Sequence, residues 1–143
     1  PPRSTLFPYT TLFRSVGAVI YGDMDHLKKI NDELGHDIGD IAIQAEVSVL
    51  KNVLRDSDLI GRMGGDEFAI IAPGLTESGF RHLCARLEAE SAAYNKTSGQ
   101  PFTLSISLGM VHFDASDSDL TALLKKADER QYEQKRAHHR ARA

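Results

Sequence analysis

The chain has 143 residues, 41% of them hydrophobic and 26% charged, with a formal net charge of −3 at pH 7. That size and balance fit one globular domain with its own core, and the slight acidity excludes a broad attraction to nucleic acid, so a polyanionic partner needs a local site. No apolar run reaches the roughly 18 residues of a membrane-crossing helix. The single cysteine, Cys84, set among Phe80, Leu83 and Leu87, reads as a small buried hydrophobe in a reducing, cytoplasmic setting.

Residues 1–15, PPRSTLFPYTTLFRS, carry three prolines and no acidic residue, and repeat Thr5-Leu6-Phe7 as Thr11-Leu12-Phe13. They read as a non-native or linker segment outside the fold. VGAVIYGDMD is a short apolar run ending in acids, a buried strand that carries Asp23 and Asp25 on one face because side chains alternate. HLKKINDELG follows as a short helix with Asp25 as its N-cap and Gly35 as its stop. Ile41 to Arg55 is a longer helix with Ile43, Val47, Leu50 and Leu54 along one face. Asp58–Met63 and Asp66–Ala72 flank a Gly64-Gly65 turn as a hairpin, both glycines being free to take positive φ. Thr76 to Tyr94 is helical with Phe80, Leu83, Leu87 and Tyr94 inward, and FTLSISLGMV alternates as a strand. A last helix runs from Asp119 to about Lys135, capped by Ser118. This order predicts an α+β layer fold, an antiparallel sheet with helices on one face.

The acids are what the fold leaves unexplained. Asp23 and Asp25 leave a strand end, and Asp66 and Glu67 leave the tip of the hairpin; pairing of the two would bring carboxylates together. Two unit charges about 4 Å apart repel by about 4 kcal/mol at an effective dielectric near 20, so such a cluster calls for a cation. An all-oxygen donor set suits Mg²⁺ or Mn²⁺, and magnesium held by a few carboxylates completes its shell with water and substrate phosphate. A nucleoside triphosphate is the implied partner. The amides around His26 and Leu27, at the start of the helix after Asp25, and the side chain of Lys28 are placed to cradle its phosphates. For either acid pair alone, a solvated cap is the alternative.

GDMDHLKKINDELGHDIGD followed by RDSDLIGRMGGDEFAII resembles the GGDEF-domain diguanylate cyclases, and the pattern extends from Val16 to about Lys135. The resemblance implies a GGDEF domain over 16–136 with 137–143 a basic tail, and a palm-like central, mainly antiparallel sheet flanked by helices, similar to adenylyl cyclase and polymerase palm cores. It implies a homodimer in which each chain holds one GTP, each 3′-hydroxyl attacking the other α-phosphate to give cyclic di-GMP and pyrophosphate. Carried over residue by residue, Asp23, Asp66 and the Met24 carbonyl are metal ligands for Mg²⁺ or Mn²⁺, and Asp66 or Glu67 helps deprotonate the hydroxyl. Asn31 and Asp40 read guanine, and Lys28 and Lys135 contact phosphate. His26, Leu27, His36, Gly64 and Gly65 line the GTP site, the glycines letting backbone approach the nucleotide. Arg55 and Asp58 match an R-x-x-D inhibitory product site, with Arg86 contributing; a surface ion pair is the plainer reading of Arg55 and Asp58 alone. The resemblance also implies an upstream sensory or receiver domain in the full-length protein, compatible with a cytoplasmic part of a membrane-bound sensor, and no membrane or nucleic-acid contact is expected of this segment.

The sequence departs from that pattern in three places. PPRSTLFPYTTLFRS stands where a D-x-L-T-x-L-x-N-R segment is usual, His26 stands where Phe is common, and ADERQYEQKRAHHRARA lacks a Gly-Arg-Asn ending, leaving Arg140 a displaced candidate for a second phosphate contact. His138 and His139 read as part of a solvated basic tail. His36 reads as a hydrogen-bonding group near the pocket, and Phe80 and Tyr94 as core. The alternatives in function are a catalytically impaired module that binds cyclic di-GMP or GTP, and a structural dimerisation module.

Overall fold

The computed structural model describes residues 16–117 and 119–142; the expectations for residues 1–15 and for the Ser118 cap lie outside the described residues. In chain order the elements are β1 (Gly17–Met24), α1 (Leu27–Leu34), α2 (His36–Val53), β2 (Leu59–Gly64), β3 (Glu67–Pro73), α3 (Glu77–Thr97), β4 (Ile106–Phe113) and α4 (Leu120–Arg142). The strands form one antiparallel sheet in the order β2-β3-β1-β4.

β1 lies between two neighbours and is covered on both faces, which is why GAVIY reads as a continuous apolar run. Ala18, Ile20 and Met24 face a core shared with Leu50 and Val53 of α2 and Leu83 and Leu87 of α3, whereas Val19 faces Val111, Phe113, Leu123 and Ala127 on the side of α4. Ile20 and Ile70, both fully buried, each contribute about 1.5–3 kcal/mol of hydrophobic stabilisation. Helices therefore sit on both faces rather than one. The second face of β1 and β4 is apolar too, and α4 covers it.

α4 seats on β4 at Gly109. A Cβ there would stand 2.0 Å from the Gln131 nitrogen and 2.3 Å from the Ala127 carbonyl oxygen, so only glycine lets the helix backbone approach this closely. From that seat α4 also closes the outer edge of β4: Gln134 Oε1 accepts from the Leu108 N–H, and Arg130 Nη1 donates to the Met110 carbonyl at 2.7 Å.

Element boundaries depart from expectation where side chains take over backbone groups. α2 begins at His36 rather than Ile41, because Gly39 lets it approach α1: a Cβ at Gly39 would stand 1.8 Å from Asn31 Oδ1. Its buried face is Ala42, Ala45, Glu46, Val49, Leu50 and Val53, with Ile43, Val47 and Leu54 only packed at its margin, so the expected stripe is rotated. β4 starts at Ile106, not Phe102, because Asn95 takes both backbone groups of Leu104, accepting at 2.7 Å and donating at 2.9 Å. α3 follows expectation more closely. Thr76 Oγ1 caps it through the Gly79 N–H, with Leu83 and Leu87 buried and Phe80 and Tyr94 packed beside them. At the start of α4, Asp119 Oδ1 accepts from the Ala122 N–H at 3.1 Å.

Candidate active site

The site is built at one end of the sheet, where β1 stops and the β2–β3 turn comes level with it. Gly64 pairs with Glu67 and the register slips between Arg62 and Gly64, so the residues at the turn are Gly65 and Asp66 rather than the two glycines. Gly65 has φ 51, a left-handed conformation that glycine takes without penalty, and Arg62 Nε holds the turn by donating to the Gly65 carbonyl at 2.8 Å. Asp66 thus stands at the apex, its carboxylate accepting from its own N–H and that of Met24. Burial raises its pKa, and those two hydrogen bonds partly offset the rise.

Asp23 leaves β1 on the α4 face. Gln131 Nε2 donates to its Oδ1 at 2.5 Å, and Lys135 Nζ lies 3.1 and 3.2 Å from its two oxygens and 3.2 Å from the Met24 carbonyl oxygen. Burial pushes Asp23 up to about 6, the Lys135 ammonium pulls the other way, and Asp66 and Asp25 add to the rise. Among the described residues, no three His, Cys, Asp or Glu side chains gather as a metal cage. Two carboxylates and one carbonyl are instead the sparse oxygen set that suits a magnesium completing its shell elsewhere. The ammonium of Lys135 lies within 3.2 Å of both Asp23 oxygens and the Met24 carbonyl oxygen.

Asp25 does not join this set, nor does it cap α1. It is fully buried and accepts from Ser105 Oγ at 2.6 Å and Ser107 Oγ at 2.7 Å. The N-cap is His26, left-handed at φ 67, and no side chain caps the helix. The first-turn amides of α1 therefore face the cleft without a side-chain cap, the arrangement that binds phosphate through N–H groups and the helix dipole.

A cleft of about 510 Å³ brings together Asp23, Met24, His26, Leu27, Lys28, Asn31, His36, Asp66 and Lys135. Asp40, Gly64, Gly65 and Glu67 lie outside its immediate lining. Asp40 is exposed on α2 beside the Gly39–Asn31 contact, and Glu67 is exposed, hydrogen-bonded to the Tyr21 hydroxyl. His139 lines the same cleft, its ring stacked on His26 with centroids 4.4 Å apart. The helix continues past Lys135 to Arg142, and His138 and His139, expected in a solvated basic tail, contact the loop after β1, whereas Arg136 and Arg140 are exposed as expected. A signal for this was present, since Gln131, Lys135 and His138 at i, i+4 and i+7 form a polar stripe on one helical face.

Arg55, Asp58 and Arg86 meet at the other end of β3 and line a cleft of about 410 Å³. Arg55 Nη2 bonds Asp58 Oδ1 at 2.8 Å and the Pro73 carbonyl at 2.9 Å, and Arg86 Nη2 donates to the Asn52 carbonyl at 3.3 Å. β3 separates this cleft from the acidic end by about 20 Å.

Residues 11–141 match the family described as "Diguanylate cyclase, GGDEF domain". The chain belongs to this GGDEF family. It is 35% identical to the diguanylate cyclase DgcP of Pseudomonas aeruginosa over 116 residues, which is 80% of this chain and 17% of that protein. It is 39% identical to the "Probable diguanylate cyclase DgcC" of Escherichia coli K12 over 115 residues, 80% of this chain and 31% of the other. The chain thus spans less than a third of the length of these curated relatives. The crystal structure of the GGDEF domain of PA1120 (YfiN or TpbB) from Pseudomonas aeruginosa superposes with a TM-score of 0.79 at 28% identity, covering 94% of this chain and 89% of that one. The palm-like α+β fold expected from the sequence is the fold of this GGDEF domain.

Proposed function

We propose that this domain condenses two GTP into cyclic di-GMP with release of two pyrophosphates, using Mg²⁺ or Mn²⁺, across a homodimer in which each chain supplies half of the site. The observation that carries this reading is the seat formed by Asp23, the Met24 carbonyl and Asp66, already holding an ammonium, beside the uncapped start of α1. A divalent cation bound there would polarise the α-phosphate and stabilise the attacking and leaving oxygens. Lys28 and the first-turn amides of α1 hold phosphate. Lys135, held over the cleft by Asp23 and the Met24 carbonyl, adds a positive charge for the phosphates. Asn31, aligned by its contact with Gly39, and Asp40 present an amide and a carboxylate to the guanine edge. Asp66 or Glu67 takes the proton of the attacking 3′-hydroxyl.

Concentrated protein incubated with GTP and Mg²⁺ should give cyclic di-GMP, resolved by chromatography, at a rate steeper than linear in protein concentration. No product at any concentration overturns the reading. We propose a cytoplasmic location beside a sensory or receiver domain, as the family resemblance implies.

Product feedback through Arg55, Asp58 and Arg86 belongs to the same proposal. The Arg55 guanidinium lines the cleft with its Nε and Nη2 edge on Asp58 and Pro73, and its charge is suited to phosphate or a guanine edge. Arg55→Ala is expected to raise the cyclic di-GMP concentration that halves the rate by about tenfold or more, from loss of a charged hydrogen bond. An unchanged inhibition curve would count against this site.

A further inference from the structure

The last turns of α4 meet the loop after β1 residue by residue. Lys135 lies on Asp23 and Met24, His138 on Asp25, and the His139 ring on His26. The middle contact is the buried one. His138 Nδ1 stands 3.1 Å from Asp25 Oδ2 and 2.9 Å from Ser107 Oγ, and Asp25 is 0% exposed. The Ser107 hydroxyl hydrogen is directed at Asp25 Oδ1, so Ser107 Oγ can only accept from the imidazole. Nδ1 must then carry its hydrogen, shared between Ser107 Oγ and Asp25 Oδ2.

This contact is out of proportion to its surroundings. Beyond Lys135 the sequence offers Arg136, Ala137, His138, His139 and Arg140, with no apolar periodicity to hold a helix against the sheet. The buried carboxylate, which already collects two hydroxyl donors, provides a fixed point that such a segment otherwise lacks. Lys135 sits three residues earlier, almost one helical turn, and His139 one residue later, so the position of His138 sets where both stand.

We infer that His138 is a positioning residue: by donating to buried Asp25 it clasps the end of α4 to the β1–α1 loop and places Lys135 and His139 over the cleft. The inference rests on reading that cleft as a nucleoside triphosphate site. The two side chains that reach the cleft from α4 are a cation and an imidazole, both suited to phosphate oxygens.

The test uses the full chain and three proteins: wild type, His138→Ala and His138→Asn. The asparagine Nδ2 takes the place of the imidazole Nδ1 and keeps the donor. Affinity for the non-cleavable GTP analogue with a methylene bridge between the α- and β-phosphates is measured by calorimetry with Mg²⁺, alongside GTP turnover and amide hydrogen exchange at residues 23–27 and 135–141. Alanine is expected to weaken analogue binding and raise KM by about tenfold, the size of one lost hydrogen bond to a charged group, while kcat at saturation changes little. Asparagine is expected to restore both, and exchange should be faster in the alanine variant alone. Unchanged affinity and exchange in the alanine variant overturn the clasp. Failure of a folded asparagine variant to restore them overturns it too, because bulk packing and not the donor would then matter. If the wild type does not bind the analogue, the nucleotide reading fails separately and exchange alone decides: equal protection in wild type and alanine variant refutes the clasp, and a loss confined to alanine upholds it.

Discussion

Exchange of Asp66 for alanine is expected to lower cyclic di-GMP synthesis by about a thousandfold or more, since charge stabilisation by a bound cation is worth several kcal/mol and each 1.36 kcal/mol is a factor of ten in rate. Asp66 stands at the apex of a turn whose shape is fixed by Gly65 and Arg62, so its removal leaves the hairpin in place. Burial raises the Asp66 pKa, which means that in the absence of a cation its ionised form is disfavoured there. Asp66→Ala should therefore melt no lower than the wild type by circular dichroism. Catalytic loss with an unchanged melting temperature assigns the residue to the chemistry. Turnover within tenfold of the wild type would remove Asp66 from the metal site.

The second large effect is on stability and comes from Glu46. This residue lies on the buried face of α2, 0% exposed, with neither carboxylate oxygen hydrogen-bonded among the described residues. Burial pushes its pKa up to about 9 from 4.5, and Asp66 and Asp23 add to the rise. Folding thus binds a proton that the unfolded chain releases above its own pKa. Stability from this group is full below pH 4.5, falls as pH rises toward 9, and is flat beyond. The slope within that window is about 1.4 kcal/mol per pH unit, which makes the loss on the order of 3 kcal/mol at pH 7.

Glu46→Gln, which cannot ionise, is expected to lack that slope, so its advantage over the wild type should widen steadily from pH 5 to pH 8 in urea titrations. Glu46→Leu, of similar volume and with no polar atom to desolvate, should be more stable than the wild type at pH 7. Parallel stability curves for wild type and Glu46→Gln would mean that the carboxyl is solvated or paired. A neutral Glu46 also keeps a further negative charge away from the pair Asp23 and Asp66.

The parts of this molecule legible in the sequence were those dictated by local chemistry. The apolar run before Asp23, the Gly35 stop, the Thr76 start and the hairpin around Gly65 each follow from periodicity or backbone freedom, and each appears within a few residues of its expected place. Asp23, Met24, Asp66, Lys28, Asn31 and Lys135 do line one cleft. What stayed hidden depends on partners distant in sequence. Asp25 looks like a helix cap beside Leu27, but Ser105 and Ser107, eighty residues away, claim it. Glu46 interrupts an apolar face and so rotated the expected stripe of α2. His138 and His139 lie in a basic run whose one local mark of packing is the polar stripe of Gln131, Lys135 and His138; the partners that order them, Asp25 and His26, are more than a hundred residues away.

The closure of β4 by α4 gives the sheet a direction in which it can grow. At that border Leu108 and Met110 already bond Gln134 and Arg130, so an incoming extended chain finds those groups taken. The opposite border is β2, where Leu59 and Met63 are each 52% exposed and no further strand follows among the described residues. Self-association by strand addition, the usual hazard of an unprotected edge, is thereby channelled to the β2 side, away from the helix that carries Lys135 and His138.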